Sequence, residues 1–311
     1  MKSLRLVFFG TPTFSVPTLT RLLEGPHRVV GMVSQPDRAR GRGRRSTPSP
    51  VAEVALREEI PLLRPERAIE CEAELRALEP DLGVVAAFGQ FLTKRIRELP
   101  TLGYLINAHA SLLPKYRGAA PIEHALLDGE AKTGICVMRV EKEMDAGPVA
   151  LRRELEIAPD ETAGELTERL GALAADAIGE AVDQIARGEL QWSEQDHGAA
   201  TLAPKLERGD ARIDWSEDAE ALAQRVRALA PSPGAVTTLD GEPLRILLAR
   251  AEADATSCAP GTVERAEDAR LRVATGSGWL VPLRVQRAGG KALDIDAYLR
   301  GRPIADGARL G

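Results

Sequence analysis

The first half of the chain alternates short apolar strands with helical segments, and this alternation limits the folds open to it. The strand predicted over 81–88 is the most apolar and is rich in valine and alanine, as expected for a strand buried on both faces. Segments 4–9, 28–34 and 102–109 predict further strands, with helices between them. Repeated βαβ units of this kind indicate an α/β fold with a doubly wound, mostly parallel, Rossmann-like sheet. Such sheets bind ligands at the carboxyl ends of their strands.

The last third of the chain has a different sequence pattern. Short β-type segments separated by turns, such as the one at Asp240-Gly241, predict a small OB-like β-barrel. A helix before these strands is expected to begin after a cap at Ser216. We therefore expect a catalytic domain over 1–188, a linker over 189–208 and a barrel domain over 209–311.

Two polar residues end the strand at 102–109. Asn107 and His109 are two residues apart, so in an extended strand their side chains point to the same face. A buried amide and imidazole need hydrogen-bond partners or a function. The loop HASLLPKYRGAAP at 109–121 follows, and its prolines restrict its conformations. These residues alone are compatible with a structural polar pair or with an active site on a rigid strand.

The loop resembles that of the formyltransferases that use 10-formyltetrahydrofolate. The resemblance rests on SLLP at 111–114, on YRG at 116–118 and on Asp145 in the turn MDAGP. It implies that Asn107, His109 and Asp145 are the catalytic residues.

Formyl transfer between amines passes through a tetrahedral intermediate that carries an oxyanion. The resemblance implies that Asn107 and a protonated His109 donate hydrogen bonds to this oxygen, and one such donor contributes about 3–4 kcal/mol. Asp145 is expected to accept the proton that the attacking amine loses. This direct transfer requires neither a metal nor a serine or cysteine nucleophile.

The same resemblance places the folate against the segment FGQF and the SLLP loop. Without it, Phe88 and Phe91 would be interpreted as core residues, and the Ser111 hydroxyl as a hydrogen-bonding group of the loop. The implied folate-binding residues are Phe88, Gly89, Gln90, Phe91, Ser111, Leu112, Leu113 and Pro114.

A basic loop follows the second predicted strand, although the net charge of the chain is −5. Judged by charge alone, a solvated loop explains this cluster as well as an anionic partner does. However, the segment QPDRARGRGRRSTPSPV at 35–51 resembles the loop of those family members that formylate methionyl-tRNA. It implies that the acceptor is initiator methionyl-tRNA. The expected tRNA-contacting residues are Arg38, Arg40, Arg42, Arg44, Arg45, Lys205 and Arg208.

Two other functions remain open at this stage. A formyltransferase acting on a sugar-nucleotide amine would share the catalytic residues, and a non-enzymatic RNA-binding protein would not need them. The chain has no apolar run near the roughly 20 residues needed to span a bilayer. Its three cysteines lack the paired spacing of disulfides or zinc sites. We therefore expect a cytoplasmic monomer without a metal or a membrane partner.

Overall fold

The computed structural model of the protein describes residues 2–40, 45–265 and 271–311. Its chain forms two compact units. The first unit comprises Met1–Pro121, Lys132–Glu156 and Thr167–Pro204, and the second comprises Ile122–Ala131, Ile157–Leu166 and Lys205–Gly311. Across the described residues, no helix is long and apolar enough to cross a membrane.

The first unit is built on a seven-stranded sheet in which one strand runs against its neighbours. Its strands are β1 (Arg5–Gly10), β2 (Arg28–Val33), β5 (Leu62–Leu63), β6 (Leu82–Ala86), β7 (Leu105–His109), β9 (Lys132–Arg139) and β10 (Val149–Glu156). Their order is β10-β9-β7-β6-β1-β2-β5, and β9 is antiparallel to both of its neighbours. Two small ladders join β3 (Arg38–Arg40) to β4 (Arg45–Thr47), and β8 (Arg117–Gly118) to β11 (Leu202–Ala203). The predicted mostly parallel sheet is confirmed.

Burial explains why β6 lies at the centre. All five of its residues are buried, and the strand pairs in parallel with β1 on one side and β7 on the other.

The α-helices of the described residues are α1 (Ser15–Leu23), α2 (Pro50–Arg57), α3 (Glu72–Ala77), α4 (Lys94–Arg97), α5 (Pro121–Leu127), α6 (Ala163–Arg187), α7 (Ala219–Leu229) and α8 (Ile295–Gly301). Helix α2 begins at Pro50 because Ser49 caps it and accepts a hydrogen bond from the Ala52 amide.

The direction of β9 changes how the site is assembled. Because β9 is antiparallel to β7, its last residue, Arg139, lies opposite Ile106, near the start of β7. A turn following β9 would therefore lie away from His109 at the carboxyl end of β7. The segment 140–148 must fold back along the sheet to bring Asp145 to His109.

The second unit contains an antiparallel sheet. Its strands are β12 (Ala235–Leu239), β13 (Glu242–Glu252), β14 (Val263–Arg265), β15 (Leu271–Ala274), β16 (Trp279–Arg287) and β17 (Ala292–Asp294). Their order is β12-β13-β16-β15-β14, with β17 paired to β16. The segment at 307–311 bonds to both edges: the Leu310 amide donates to the Gly261 carbonyl at 2.8 Å, and the Gly311 amide to the Thr238 carbonyl at 3.1 Å. These bonds link the two edges of the sheet through residues 307–311, and the expected OB-like barrel remains a prediction.

The start of α7 corrects one expectation. Asp218, rather than Ser216, is the N-cap, and its carboxylate accepts a hydrogen bond from the Ala221 amide at 2.8 Å. The Ser216 hydroxyl instead donates to Asp214 at 2.7 Å. Both residue types are good caps, so the sequence could not separate two candidates this close together.

The segment before the second unit is hydrogen-bonded to the first unit over much of its length. The Ser193 main chain exchanges two hydrogen bonds with Val149, at 2.8 and 2.9 Å. The Arg117 amide donates to the Thr201 carbonyl at 2.9 Å, and β11 pairs with β8. The first compact unit accordingly extends to Pro204, within the expected linker of 189–208. The proposed domain limits remain a prediction.

Candidate active site

Strand β7 presents Asn107 and His109 at the carboxyl end of the parallel part of the sheet. Residue Asn107 pairs with Val85 of β6 and Met138 of β9, which fixes its position in the ladder. The side chains of Asn107 and His109 share one face because the two residues are separated by one position. His109 is buried, whereas Asn107 is partly exposed. Within the described chain, the Asn107 carboxamide makes no hydrogen bond, so its amide group is free to donate.

Both nitrogens of the His109 ring face an acceptor. Nε2 lies 2.8 Å from the Tyr116 carbonyl oxygen, and Nδ1 lies 3.5 Å from Oδ2 of Asp145. A carbonyl can only accept, so Nε2 carries a hydrogen and donates it to Tyr116. Only Nδ1 therefore remains available for chemistry, and it is oriented toward a carboxylate.

The Asp145 carboxylate is held by the main chain of the SLLPKYRG loop. Its Oδ2 accepts a hydrogen bond from the Gly118 amide at 2.9 Å. Asp145 has a φ of 51° and Tyr116 a φ of 61°, both in the left-handed region that non-glycine residues seldom adopt. Such conformations persist where surrounding contacts hold them, and they concentrate at functional sites. The structure thus brings His109 and Asp145 together beside Asn107.

Cys136 lies directly across the ladder from His109. Burial is the largest influence on this thiol and raises its pKa above the usual value. The thiol therefore stays protonated at neutral pH and is a poor nucleophile. This agrees with a reaction that uses no covalent protein intermediate.

The segment 88–91, expected to bind folate, follows β6 at the same end of the sheet. The Phe88 ring is buried and packs edge-on against Phe9, with ring centroids 5.5 Å apart. The Phe91 side chain is instead 69% exposed, so the interpretation of this residue as core is wrong. Between them, Gly89 has a φ of 75°, and Oε1 of Gln90 is buried without a hydrogen-bond partner in the described chain. Gly89 and the Phe91 ring are thus the exposed parts of this segment.

The SLLP residues mainly build the loop. Ser111 is fully buried, and its hydroxyl donates to the Lys115 carbonyl at 2.6 Å, as expected for loop hydrogen bonding. Leu113 packs with Cys136 and other buried residues, while Leu112 and Pro114 are partly exposed. Contacts of Ser111 and Leu113 with a ligand would therefore have to come from the main chain.

The expected tRNA-contacting residues fall into two groups. Arg38, Arg40 and Arg45 lie on the hairpin β3–β4, whereas Arg42 and Arg44 lie outside the described residues. Lys205 and Arg208 are exposed in the second unit.

Sequence reasoning missed a buried polar network next to Asp145. Gln195 is buried, and its Nε2 donates to the main-chain carbonyls of Asp145 at 2.8 Å and Gly147 at 2.7 Å. Its Oε1 accepts two hydrogen bonds from the buried Arg117 guanidinium, at 3.2 and 2.7 Å. Arg117 was named from the sequence only as part of the YRG motif that resembles the formyltransferase loop, and no role was assigned to this residue. Gln195 lay in a polar connector with no local signal to mark it.

Comparisons with known proteins identify the family of this chain. Residues 4–182 match the formyl transferase family, and residues 205–303 match the formyl transferase C-terminal domain. The methionyl-tRNA formyltransferase of Roseiflexus castenholzii is 45% identical over 99% of this chain and 99% of its own length. That of Geobacter metallireducens is 42% identical over the whole of both chains.

A solved structure shows the same fold at low identity. The N-formyltransferase of Helicobacter canadensis, in complex with folinic acid and dTDP-3-aminofucose, has a TM-score of 0.69 and 14% identity. The match covers 91% of this chain and 99% of that one. At this identity the likeness concerns the fold alone. The full-length similarity to the curated relatives is far stronger, and it shows that the chain belongs to the methionyl-tRNA formyltransferase family.

Proposed function

We propose that this protein transfers the formyl group of 10-formyltetrahydrofolate to the free α-amino group of initiator methionyl-tRNA. The observation that carries the proposal is the convergence of His109 and Asp145 beside the unpaired carboxamide of Asn107, in a chain of this family. An amide, an imidazole and a carboxylate supply the hydrogen-bond donor and the proton-transfer groups that formyl transfer needs.

Asn107 is assigned to the oxygen that gains negative charge. Its main chain is fixed by a strand in the middle of a ladder, and its side-chain amide has no competing acceptor in the described chain. A donor that is already oriented needs no rearrangement as the charge develops, which is why such donors are effective. His109 was also expected to donate a hydrogen bond to this oxygen. Because its Nε2 already donates to the Tyr116 carbonyl, only Nδ1 is available for such a contact.

His109 and Asp145 are assigned to proton transfer. The attacking α-amine must lose a proton, and the leaving nitrogen must gain one. Asp145 can accept the first proton, while Nδ1 of His109, 3.5 Å from Oδ2, can share it. The Gly118 amide keeps the carboxylate in place during this exchange.

The folate is assigned to the edge formed by residues 88–91, which fit a flat ring with a polar rim. The exposed Phe91 ring offers an apolar face, and Gly89 allows close approach to the main chain. Gln90 would contact the folate through its main chain, because its side-chain oxygen is buried and its amide nitrogen donates to the Pro65 carbonyl. Bound there, the folate supplies the formyl carbon.

The tRNA is assigned to the basic residues outside this site. The arginine loop, represented in the structure by the hairpin β3–β4, would contact the acceptor end, since arginine binds phosphate with two hydrogen bonds. Lys205, Arg208 and the barrel over 209–311 would contact the backbone, while residues 1–188 carry out catalysis. An α-amine with a pKa of roughly 8 is about half neutral near that pH, so a reactive fraction is present.

A competition experiment tests the function. The protein is incubated with 10-formyltetrahydrofolate, methionyl-tRNA and a dTDP-linked amino sugar, and each acceptor is analysed for the formyl group. We expect formylation of methionyl-tRNA and an unmodified sugar. Formylation of the sugar in preference to the tRNA would refute the proposal and identify a sugar-nucleotide enzyme.

A further inference from the structure

The turn that carries Asp145 has a main-chain conformation that other contacts must stabilise. Its loop folds back from the far end of β9, and Asp145 itself has a φ of 51°. A left-handed conformation at a non-glycine residue costs on the order of 1–3 kcal/mol and persists only where other contacts hold it. The Gly118 amide bonds to one carboxylate oxygen, but this single contact does not fix the main chain of the turn.

Gln195 supplies that main-chain support. A single amide group, Nε2, donates one hydrogen to the carbonyl of Asp145 and the other to the carbonyl of Gly147, at 2.8 and 2.7 Å. Two bonds from one rigid planar group to carbonyls two residues apart set the curvature of the turn. Gly147 is tightly placed as well, because a Cβ there would lie 2.1 Å from the Arg139 carbonyl oxygen.

Arg117 determines which way the Gln195 amide points. Its guanidinium can only donate, so Oε1 must face Arg117 and the NH2 group must face the turn. Arg117 also donates to Nδ1 of His197 at 3.1 Å. In the described chain its side chain makes hydrogen bonds only to these uncharged groups, although a buried charge is usually paired. The buried Arg117 guanidinium therefore orients the neutral Gln195 amide and does not form an ion pair with a carboxylate in the described chain.

We propose that Gln195, oriented by Arg117, is a positioning residue that holds the Asp145 carboxylate at His109. This inference rests on the proposed function, since Asp145 must take part in the reaction for its position to affect the rate. Among the described residues, the Gln195 side chain hydrogen-bonds only to carbonyls of the turn and to Arg117, so its effect is transmitted through Asp145.

The substitution Gln195→Glu separates this role from simple packing. It retains the shape and the pairing with Arg117 but replaces the NH2 donor by an oxygen that the two carbonyls repel. The neutral Gln195→Met removes the hydrogen bonds without adding charge, and it is measured as well in case the first variant does not fold. Gln191→Glu is the matched control, because Gln191 is exposed on the same segment.

The variants are compared by steady-state formylation of methionyl-tRNA and by the 15N NMR signals of the His109 ring in the ligand-free protein. We expect both Gln195 variants to lose about 10- to 100-fold in kcat, with KM unchanged within about threefold, as for a displaced catalytic group. The Nδ1 signal of His109 should shift in both, and Gln191→Glu should match the wild type in every measurement.

Two outcomes separate the two proposals. If the wild type formylates methionyl-tRNA while Gln195→Glu retains its kcat and its His109 signal, the positioning role is refuted. If the wild type forms no formyl-methionyl-tRNA but the His109 signal still shifts in the variants, Gln195 does position Asp145 and the proposed reaction is wrong.

Discussion

Replacing Asp145 by asparagine tests the proton-transfer assignment most directly. The substitution preserves the size of the side chain and leaves an oxygen that can accept the Gly118 hydrogen bond. It removes the negative charge 3.5 Å from Nδ1 of His109. At that distance two unit charges attract each other by about 5 kcal/mol for an effective dielectric constant of about 20. The side chains are 6% and 16% exposed, so solvent screens this attraction only in part.

This energy sets the expected effect on rate. Loss of a proton acceptor costs about 10²- to 10⁴-fold, and the Coulomb figure corresponds to a similar range. We therefore expect Asp145→Asn to lower kcat by about 10²- to 10⁴-fold while KM for either substrate changes by less than about threefold. The expected pattern is that of an interaction made mainly in the transition state.

The assay is steady-state formylation of methionyl-tRNA at varied concentrations of each substrate, combined with a denaturation curve to show that the variant is folded. Glu143→Gln is the control, since Glu143 is an exposed acid in the same turn region. It should react at the wild-type rate. A kcat for Asp145→Asn within tenfold of the wild type would remove Asp145 from proton transfer.

Two further predictions concern the arginine loop and the loop that holds Asp145. Replacing Arg42 and Arg44 by glutamine should lower the slope of log kcat/KM against log salt concentration by about 0.7–0.9 for each phosphate that the variant no longer binds, and an unchanged slope would place this loop outside the tRNA interface. The exposed pair Arg57 and Arg67, replaced in the same way, is the charge-matched control. Gly118→Ala should lower the free energy of unfolding by about 1–3 kcal/mol more than Gly103→Ala, because both have positive φ but only at Gly118 would a Cβ lie 2.6 Å from the Ala203 carbonyl oxygen. Equal urea midpoints for the two variants would refute this explanation.

The sequence predicted those features that depend on local patterns. The valine-rich segment around β6 marks a strand buried on both faces, and the i, i+2 spacing of Asn107 and His109 places both on one face of β7. Ser49 before Pro50 marks the start of α2. In each case the physical cause lies within a few residues, so it can be recognised without knowledge of the tertiary structure.

The features that the sequence could not predict depend on contacts between distant segments. An apolar run indicates burial but not direction, so β9 could not be distinguished from one more parallel strand. The exposure of Phe91 is likewise set by what packs nearby and not by its own residue type. Gln195 is the strongest example, because its partners at Asp145 and Arg117 are 50 and 78 residues away.

These two kinds of feature meet at the active site. The strand supplies Asn107 and His109 in a geometry that any β7 of this sequence would produce. Asp145 reaches them only because its loop folds back and because Gly118 and Gln195, from two other segments, hold it there. A catalytic group that depends on non-local support is the one most easily displaced by a distant substitution. Changes in the connector that holds Gln195 should therefore alter catalysis before they alter the stability of the sheet.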